Sequence, residues 1–462
     1  MILPLLLSLA VPPAVEQALA GAGPGTRIGL VVVDEDGREI VAVRPDERFV
    51  PASNTKLYTT ALAFATLRAD GPDDAGASVR LDGGDVVLTG RGDARLSAAA
   101  DCAVDCLKDL ADAVAAKARV VRDVVGDDSR FPDERWPAGM SWNNQVGRYG
   151  TGVSALTIDD NEVVLTVTPG PPGAAPAIAA DGYYRIENRA VTVAAGREAL
   201  VATRVPGSDV LRVVGAVPVG AAATMRVGVD DPAHRAAWLL AKLLRARGVR
   251  VTGKVMVRHR PPSPGDDPAV RGGAPVPRAP EPSALARLTP PPLADDLTLT
   301  NKVSQNLHAE LLLRRAGAVA GTGSVADGHA ALDAMLASAG VARWQYDFAD
   351  GSGMSTYNRV TPRATVALLR WAATQTWGAA WRATLPVAGV DGTLSRRFKG
   401  TPLEGKLVAK TGTLNAANAL AGYLTSASGR TLTFAAYAND MPQDASATKA
   451  IDAALVALAA EH

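Results

Sequence analysis

Cysteine is scarce in this chain, with two in 462 residues, Cys102 and Cys106. Their spacing is not the Cys-x-x-Cys of a redox pair. In an exported protein a pair this close reads as a local disulfide staple. Histidine is nearly as rare. None of the five (His234, His259, His308, His329, His462) pairs with another at metal-ligand spacing, so no metal site and no cofactor is expected. Charge of one sign is lacking too: 48 basic residues face 47 acidic ones, and no block of like charge stands out. That gives no footprint for nucleic acid or for an anionic surface. No window approaches the roughly 18 apolar residues of a membrane-spanning helix. The apolar run over residues 1–10 is too short to span. It ends on the small residue Ala10 and reads as a secretory signal segment, although Pro4 interrupts it and a basic leader is missing. A buried N-terminal segment is the alternative.

What is present is enough chain for two to four domains, with 47% apolar residues to fill their cores. Ile28–Asp34 and Glu39–Val43, joined through Glu35-Asp36-Gly37, read as a β-hairpin. It runs into a loop and then an Ala- and Leu-rich helical stretch ending near Leu67. After about residue 70 short strands alternate with Gly/Asp turns (near 86–92, 163–168 and 210–215). Helical patterns at about 104–118 and 232–247 interrupt them. Residues 169–180 read as a loop or hinge, and the proline-rich stretch 259–292 as a surface connection. Long helical patterns then return. A strand at 407–413, a hairpin around Ser428-Gly429 and a C-terminal helix from about 445 complete the chain.

Three short motifs sit at the joints of this pattern. Ser53-x-x-Lys56 lies where the first helix starts, and three residues put both side chains on one face. A serine hydroxyl is a poor nucleophile until a neighbouring base takes its proton, and an amine one turn away can do so. Ser304-x-Asn306 opens an amphipathic helix. Lys410-Thr411-Gly412-Thr413 ends a strand at a hairpin, where an edge strand can line a cleft. Singly, each reads as a helix cap or a turn. No Gly-x-Ser-x-Gly elbow or histidine pairing supports the usual serine triad.

Taken together and in this order, the three motifs match the S-x-x-K, S-D-N and K-T-G set of penicillin-binding proteins and class A β-lactamases. The second motif carries Gln305 in place of Asp. From about Val11 onward the chain resembles class C low-molecular-mass penicillin-binding proteins, the D-alanyl-D-alanine carboxypeptidase/endopeptidase group of the penicillin-binding-protein-4 type. The stretches Asp127–Phe131, Ser154–Thr157, Asp160–Glu162, Asp350–Gly353 and Asp391–Thr393 carry the same likeness.

The resemblance implies an α/β (α+β) serine β-lactamase/transpeptidase-like catalytic domain over 11–70 and 286–462. It implies an inserted β-rich region over 71–285, in two nested small domains. Ser53 would be the nucleophile, Lys56 its base, and Ser304, Asn306 and Lys410 the remaining catalytic groups. Thr411, Gly412 and Thr413 would bind the substrate carboxylate, and the N–H groups of Ser53 and Thr413 would form an oxyanion hole. Burial and the charge of Lys410 are expected to lower the Lys56 pKa. The implied substrates are peptidoglycan stem peptides and their cross-links, with β-lactams as covalent ligands. The implied place is periplasmic or otherwise extracytoplasmic, with peripheral association to membrane or wall. A β-lactamase or esterase on the same core and a non-catalytic wall-binding protein are the competing readings.

Overall fold

The computed structural model describes residues 11–69, 71 and 73–462. The signal-like segment, residues 1–10, and Asp70 at the boundary of the 11–70 stretch lie outside the described residues. The organising element is a five-stranded antiparallel sheet. Its strands are β1 (Arg27–Val33), β2 (Glu39–Val43), β3 (Leu407–Leu414), β4 (Ala417–Thr425) and β5 (Thr431–Asn439), in spatial order β3-β4-β5-β1-β2. The first hairpin of the chain therefore pairs with its last strand, from Arg27 against Asn439 to Val33 against Thr433.

Strand residues alternate between faces, and both faces here are apolar. Val31, Val33, Ala419, Ala421, Tyr423, Ala435 and Tyr437 join one core. Ile28, Leu30, Val32, Leu420, Leu424, Leu432 and Phe434 join the other. A sheet buried on both sides needs helices on both sides. Pro13–Ala20 and Thr448–Glu461 cover the second face, with Ile451, Leu455 and Leu458 buried. On the first face lie α1 (Thr55–Thr66), α2 (Leu293–Lys302) and α3 (Asn306–Gly317), followed by Val325–Ser338 and Pro362–Ala373. Ten consecutive residues of α1, Thr55 to Phe64, are buried, so this helix runs through the core rather than along its surface.

Between α1 and α2 the chain builds two further units. One is a five-stranded sheet, in order Val255–Arg258, Val124–Asp127, Asp85–Thr89, Ser78–Asp82 and Ala286–Arg287. Its first three strands are mutually parallel. Parallel pairing requires crossovers, and Leu107–Lys117 and Pro232–Ala246 bury Leu110, Val114, Leu240 and Leu244 beside it. The last strand pairs with Ser78–Val79 as the chain returns to the core. The other unit holds two three-stranded sheets, Ala223–Gly228/Glu162–Thr168/Ala177–Ala179 and Ala199–Thr203/Val210–Pro218/Arg185–Val193, around Val163, Leu165, Leu211, Val213 and Val227. Residues 169–180 are thus not a hinge between units. They turn back within one unit, because Ala177–Ala179 pairs with Thr166–Thr168. Cys102 and Cys106 are bridged, with Cα atoms 5.8 Å apart.

Candidate active site

Ser53 stands in a 3-10 turn, Ala52–Asn54, that feeds directly into α1. Ala52 holds a φ of 47°, a left-handed conformation that turns the chain sharply before the serine. The next turn of α1 carries Lys56, whose Nζ lies 3.1 Å from Ser53 Oγ. The ammonium-bearing end is fully buried and makes two more contacts, with Asn306 Oδ1 at 2.6 Å and the Ser352 carbonyl at 2.6 Å. Burial brings the Lys56 pKa down from 10.5 to about 7. The neighbouring carboxylates of Asp350 and Glu310 act the other way and keep it from falling further. The sequence reading assigned part of this lowering to Lys410; in the structure the repulsion between the two lysines bears on Lys410, whose pKa it lowers. Burial sets the shift, and the charges weighing on Lys56 are these two acids.

Ser304 does not begin a helix, as the sequence reading had it. It sits in the break Val303–Gln305 between α2 and α3, with φ 63°. That left-handed kink aims its hydroxyl at Lys410 Nζ, 2.8 Å away. Asn306 is the first residue of α3. Its Oδ1 faces Lys56, and its Nδ2 donates to the Tyr149 carbonyl at 2.9 Å, a contact reaching in from the 71–285 stretch.

Lys410 is buried and also touches the Thr411 carbonyl at 2.9 Å. Burial, followed by the charge of Lys56, holds its pKa well below the usual lysine range. β3 is an edge strand of its sheet. Ala409 N–H points outward to the Pro386 carbonyl at 3.0 Å. With a period of two, the N–H groups of Thr411 and Thr413 point the same way, away from β4. Gly412 faces the serine turn, where a Cβ would come 2.6 Å from the Pro51 carbonyl oxygen. A side chain there would push the edge strand off the nucleophile.

The five expected catalytic side chains therefore converge. Ser53, Ser304, Asn306, Thr411 and Thr413 line one cleft of about 740 Å³, with Lys56 and Lys410 behind it. Further residues support them: Glu310 and Arg314 were not singled out from sequence, whereas Asp350–Gly353 and Asp391–Thr393 are stretches that carry the family likeness. Glu310, one turn after Asn306, accepts from the backbone N–H groups of Gly351 (3.0 Å) and Ser352 (2.9 Å). Arg314, one turn further, pairs with its other oxygen at 3.0 Å. Asp350 collects the Gly353 N–H, the Ser355 N–H and the Asn358 amide, and burial with the Glu310 charge pushes its pKa up to about 6. This acid frame holds the Ser352 carbonyl against Lys56. At Gly353, with φ 88°, a Cβ would fall 1.9 Å from the Ala52 carbonyl oxygen. Thr393 Oγ1 lies 2.8 Å from Thr411 Oγ1, on a turn anchored by Lys302–Asp391 at 2.6 Å. The i, i+4, i+8 run Asn306, Glu310, Arg314 is the sequence signal that could have found Glu310 and Arg314, since it sets the three on one helix face.

A serine hydroxyl 3.1 Å from a buried lysine amine, beneath an edge strand that carries Lys-Thr-Gly, is the arrangement of the penicillin-binding serine hydrolases. Comparison with known proteins narrows this. The model of the D-Ala-D-Ala carboxypeptidase 3 (S13) family matches residues 13–462, and the chain belongs to that family. It is 36% identical over 442 residues to a D-alanyl-D-alanine carboxypeptidase of Actinomadura sp. (strain R39), covering 89% of this chain and 76% of the relative. A D-alanyl-D-alanine carboxypeptidase DacB of Haemophilus influenzae is 31% identical over 211 residues, 44% of this chain and 40% of that protein. In three dimensions the fold matches penicillin binding protein 4 of Haemophilus influenzae, with a TM-score of 0.79 at 21% identity over 95% of this chain and 97% of that one. The chain is accordingly an enzyme, a serine hydrolase of the D-Ala-D-Ala carboxypeptidase family.

Proposed function

We propose that the enzyme cleaves the terminal D-Ala-D-Ala bond of peptidoglycan stem peptides, and D,D-cross-links of the same chemistry, through an acyl-enzyme on Ser53. The observation that carries this reading is Lys56 Nζ, 3.1 Å from Ser53 Oγ and lowered to about 7. A base poised near the working pH is what proton abstraction requires. Ser53 Oγ attacks the carbonyl carbon while Lys56 takes its proton. The N–H groups of Ser53 and Thr413 hold the oxyanion. The C–N bond breaks as the proton held by Lys56 is relayed through Ser304, backed by Lys410, to the departing amine. This returns Lys56 to its neutral form, and Asn306 keeps Lys56 aligned. The substrate's terminal carboxylate docks on Thr411 and Thr413. Its charge draws a proton back onto Lys410 and so completes a charge-assisted contact. Water then takes the place of the amine, with Lys56 again the base.

Residues 71–285 act, in this reading, as an insertion into the catalytic domain of 11–70 and 286–462. The returning strand Ala286–Arg287 still belongs to the inserted sheet. Export is part of the proposal: the Cys102–Cys106 bridge suits a compartment outside the cytoplasm. Digestion of purified muropeptides, followed by mass spectrometry, tests the function. Loss of one alanine marks a carboxypeptidase, and cleavage of cross-linked dimers marks an endopeptidase. Ser53→Ala should abolish both together with covalent labelling by penicillin. Unchanged muropeptides with intact labelling would refute the peptidase reading.

A further inference from the structure

Away from the Ser53 cleft, where the sheet of the 71–285 stretch meets the proline-rich return, two adjoining cavities of about 500 and 640 Å³ share the arginines Arg130, Arg260 and Arg278. The arrangement is unusual in its charge. Arg260 and Arg278 both donate to the same two carbonyl oxygens, of Ser129 (3.3 and 3.2 Å) and Thr322 (3.4 and 3.2 Å). Backbone oxygens thus hold two like-charged head groups side by side. Asp266 pairs with Arg260 at 2.6 Å. Glu281 is divided between Arg91 at 3.3 Å and Arg287 at 3.1 Å. Among the described residues Arg130 and Arg278 have no carboxylate partner.

Guanidinium groups resist being gathered in this way. Burial and then Arg91 lower the Arg130 pKa, and burial, Arg130 and Arg260 bring Arg278 down to about 10. Among the described residues the Arg130 guanidinium donates to no protein group, so its planar N–H fork has the open geometry that grips phosphate oxygens in pairs, and Arg278 adds its Nε–H beside it. A ligand carrying two or more negative charges relieves the repulsion and fills that fork.

We infer that this arginine-lined cavity is a binding site for a polyvalent phosphate group, either free or borne by an anionic polymer of the cell wall. Bound there, such a polymer would hold the enzyme on the wall without occupying the catalytic cleft, since none of these arginines lines it.

Isothermal titration of the full chain with inorganic pyrophosphate, and separately with a poly(glycerol phosphate) chain, tests the site. Pyrophosphate binding points to a free phosphate ligand, and polymer binding alone points to a wall polymer. Binding should saturate, weaken with added salt, and weaken at least about tenfold in Arg130→Gln/Arg278→Gln. Arg130→Lys/Arg278→Lys should recover part of it. Penicillin acylation of Ser53 should proceed at the wild-type rate in both variants, which reports an intact fold. Failure of both probes to saturate, or equal binding by the glutamine variant, would overturn the inference.

Discussion

Replacing Lys56 by arginine keeps a cation in the site and removes the base, because guanidinium stays protonated in proteins. The structure gives the scale of the effect. Moving a lysine from 10.5 to about 7 raises its neutral fraction at pH 7 from roughly 3 × 10⁻⁴ to about one half. Burial of Lys56 therefore supplies about three orders of magnitude in competent base before any positioning is counted. Acylation by a labelled penicillin, followed as covalent product against time, should fall ~10²–10⁴-fold in Lys56→Arg, the usual range for loss of a general base. In the wild type the same rate should climb about tenfold between pH 6 and pH 8, as the neutral fraction goes from roughly one tenth to nine tenths. An exposed, protonated lysine would produce no such limb in that window. A Lys56→Arg enzyme acylating at close to the wild-type rate, or a profile flat from pH 6 to 8, would show that another group is the base.

Three further outcomes follow from the supporting frame. Glu310→Gln removes a charge that raises the Lys56 pKa, so the acid limb of the acylation profile should move to lower pH. It also leaves Arg314 buried without its partner, which should cost about 3–5 kcal/mol in chemical denaturation. Gly353→Ala drives a Cβ into the Ala52 carbonyl, so penicillin labelling should drop steeply while circular dichroism stays close to wild type. His308, buried between Asp296 and Asp160, is raised from 6.5 to about 10. A raised pKa contributes stability below about 6.5 that is lost as pH climbs through about 10. The wild-type Tm should therefore fall over that window, and the fall should be smaller in His308→Gln.

Much of this protein was legible before any coordinates. The three motifs are local: a serine and lysine one helical turn apart, a Ser-x-Asn before an apolar helix, and Lys-Thr-Gly-Thr on a strand. Each depends on spacing that a helix or strand enforces by itself, so the sequence determined which side chains could act and which family the chain resembles. The first hairpin was legible for the same reason, since its apolar runs and the Asp-Gly turn between them are local. Only the tertiary structure decided how those pieces act on one another. The Lys56 pKa depends on Asp350 and Glu310, which lie some three hundred and two hundred and fifty residues away along the chain. The left-handed kink at Ser304 separates two helices and brings its hydroxyl to Lys410, a contact between residues 106 apart in sequence. The sheet that contains Val124–Asp127 hides its pairing from sequence, because that strand finds parallel partners near 86 and 255. The arginines at 130, 260 and 278 look like scattered surface charge in a nearly neutral chain. Their field exists because folding sets them around two adjoining cavities, and electrostatic energy depends on distance through space, which sequence separation does not measure.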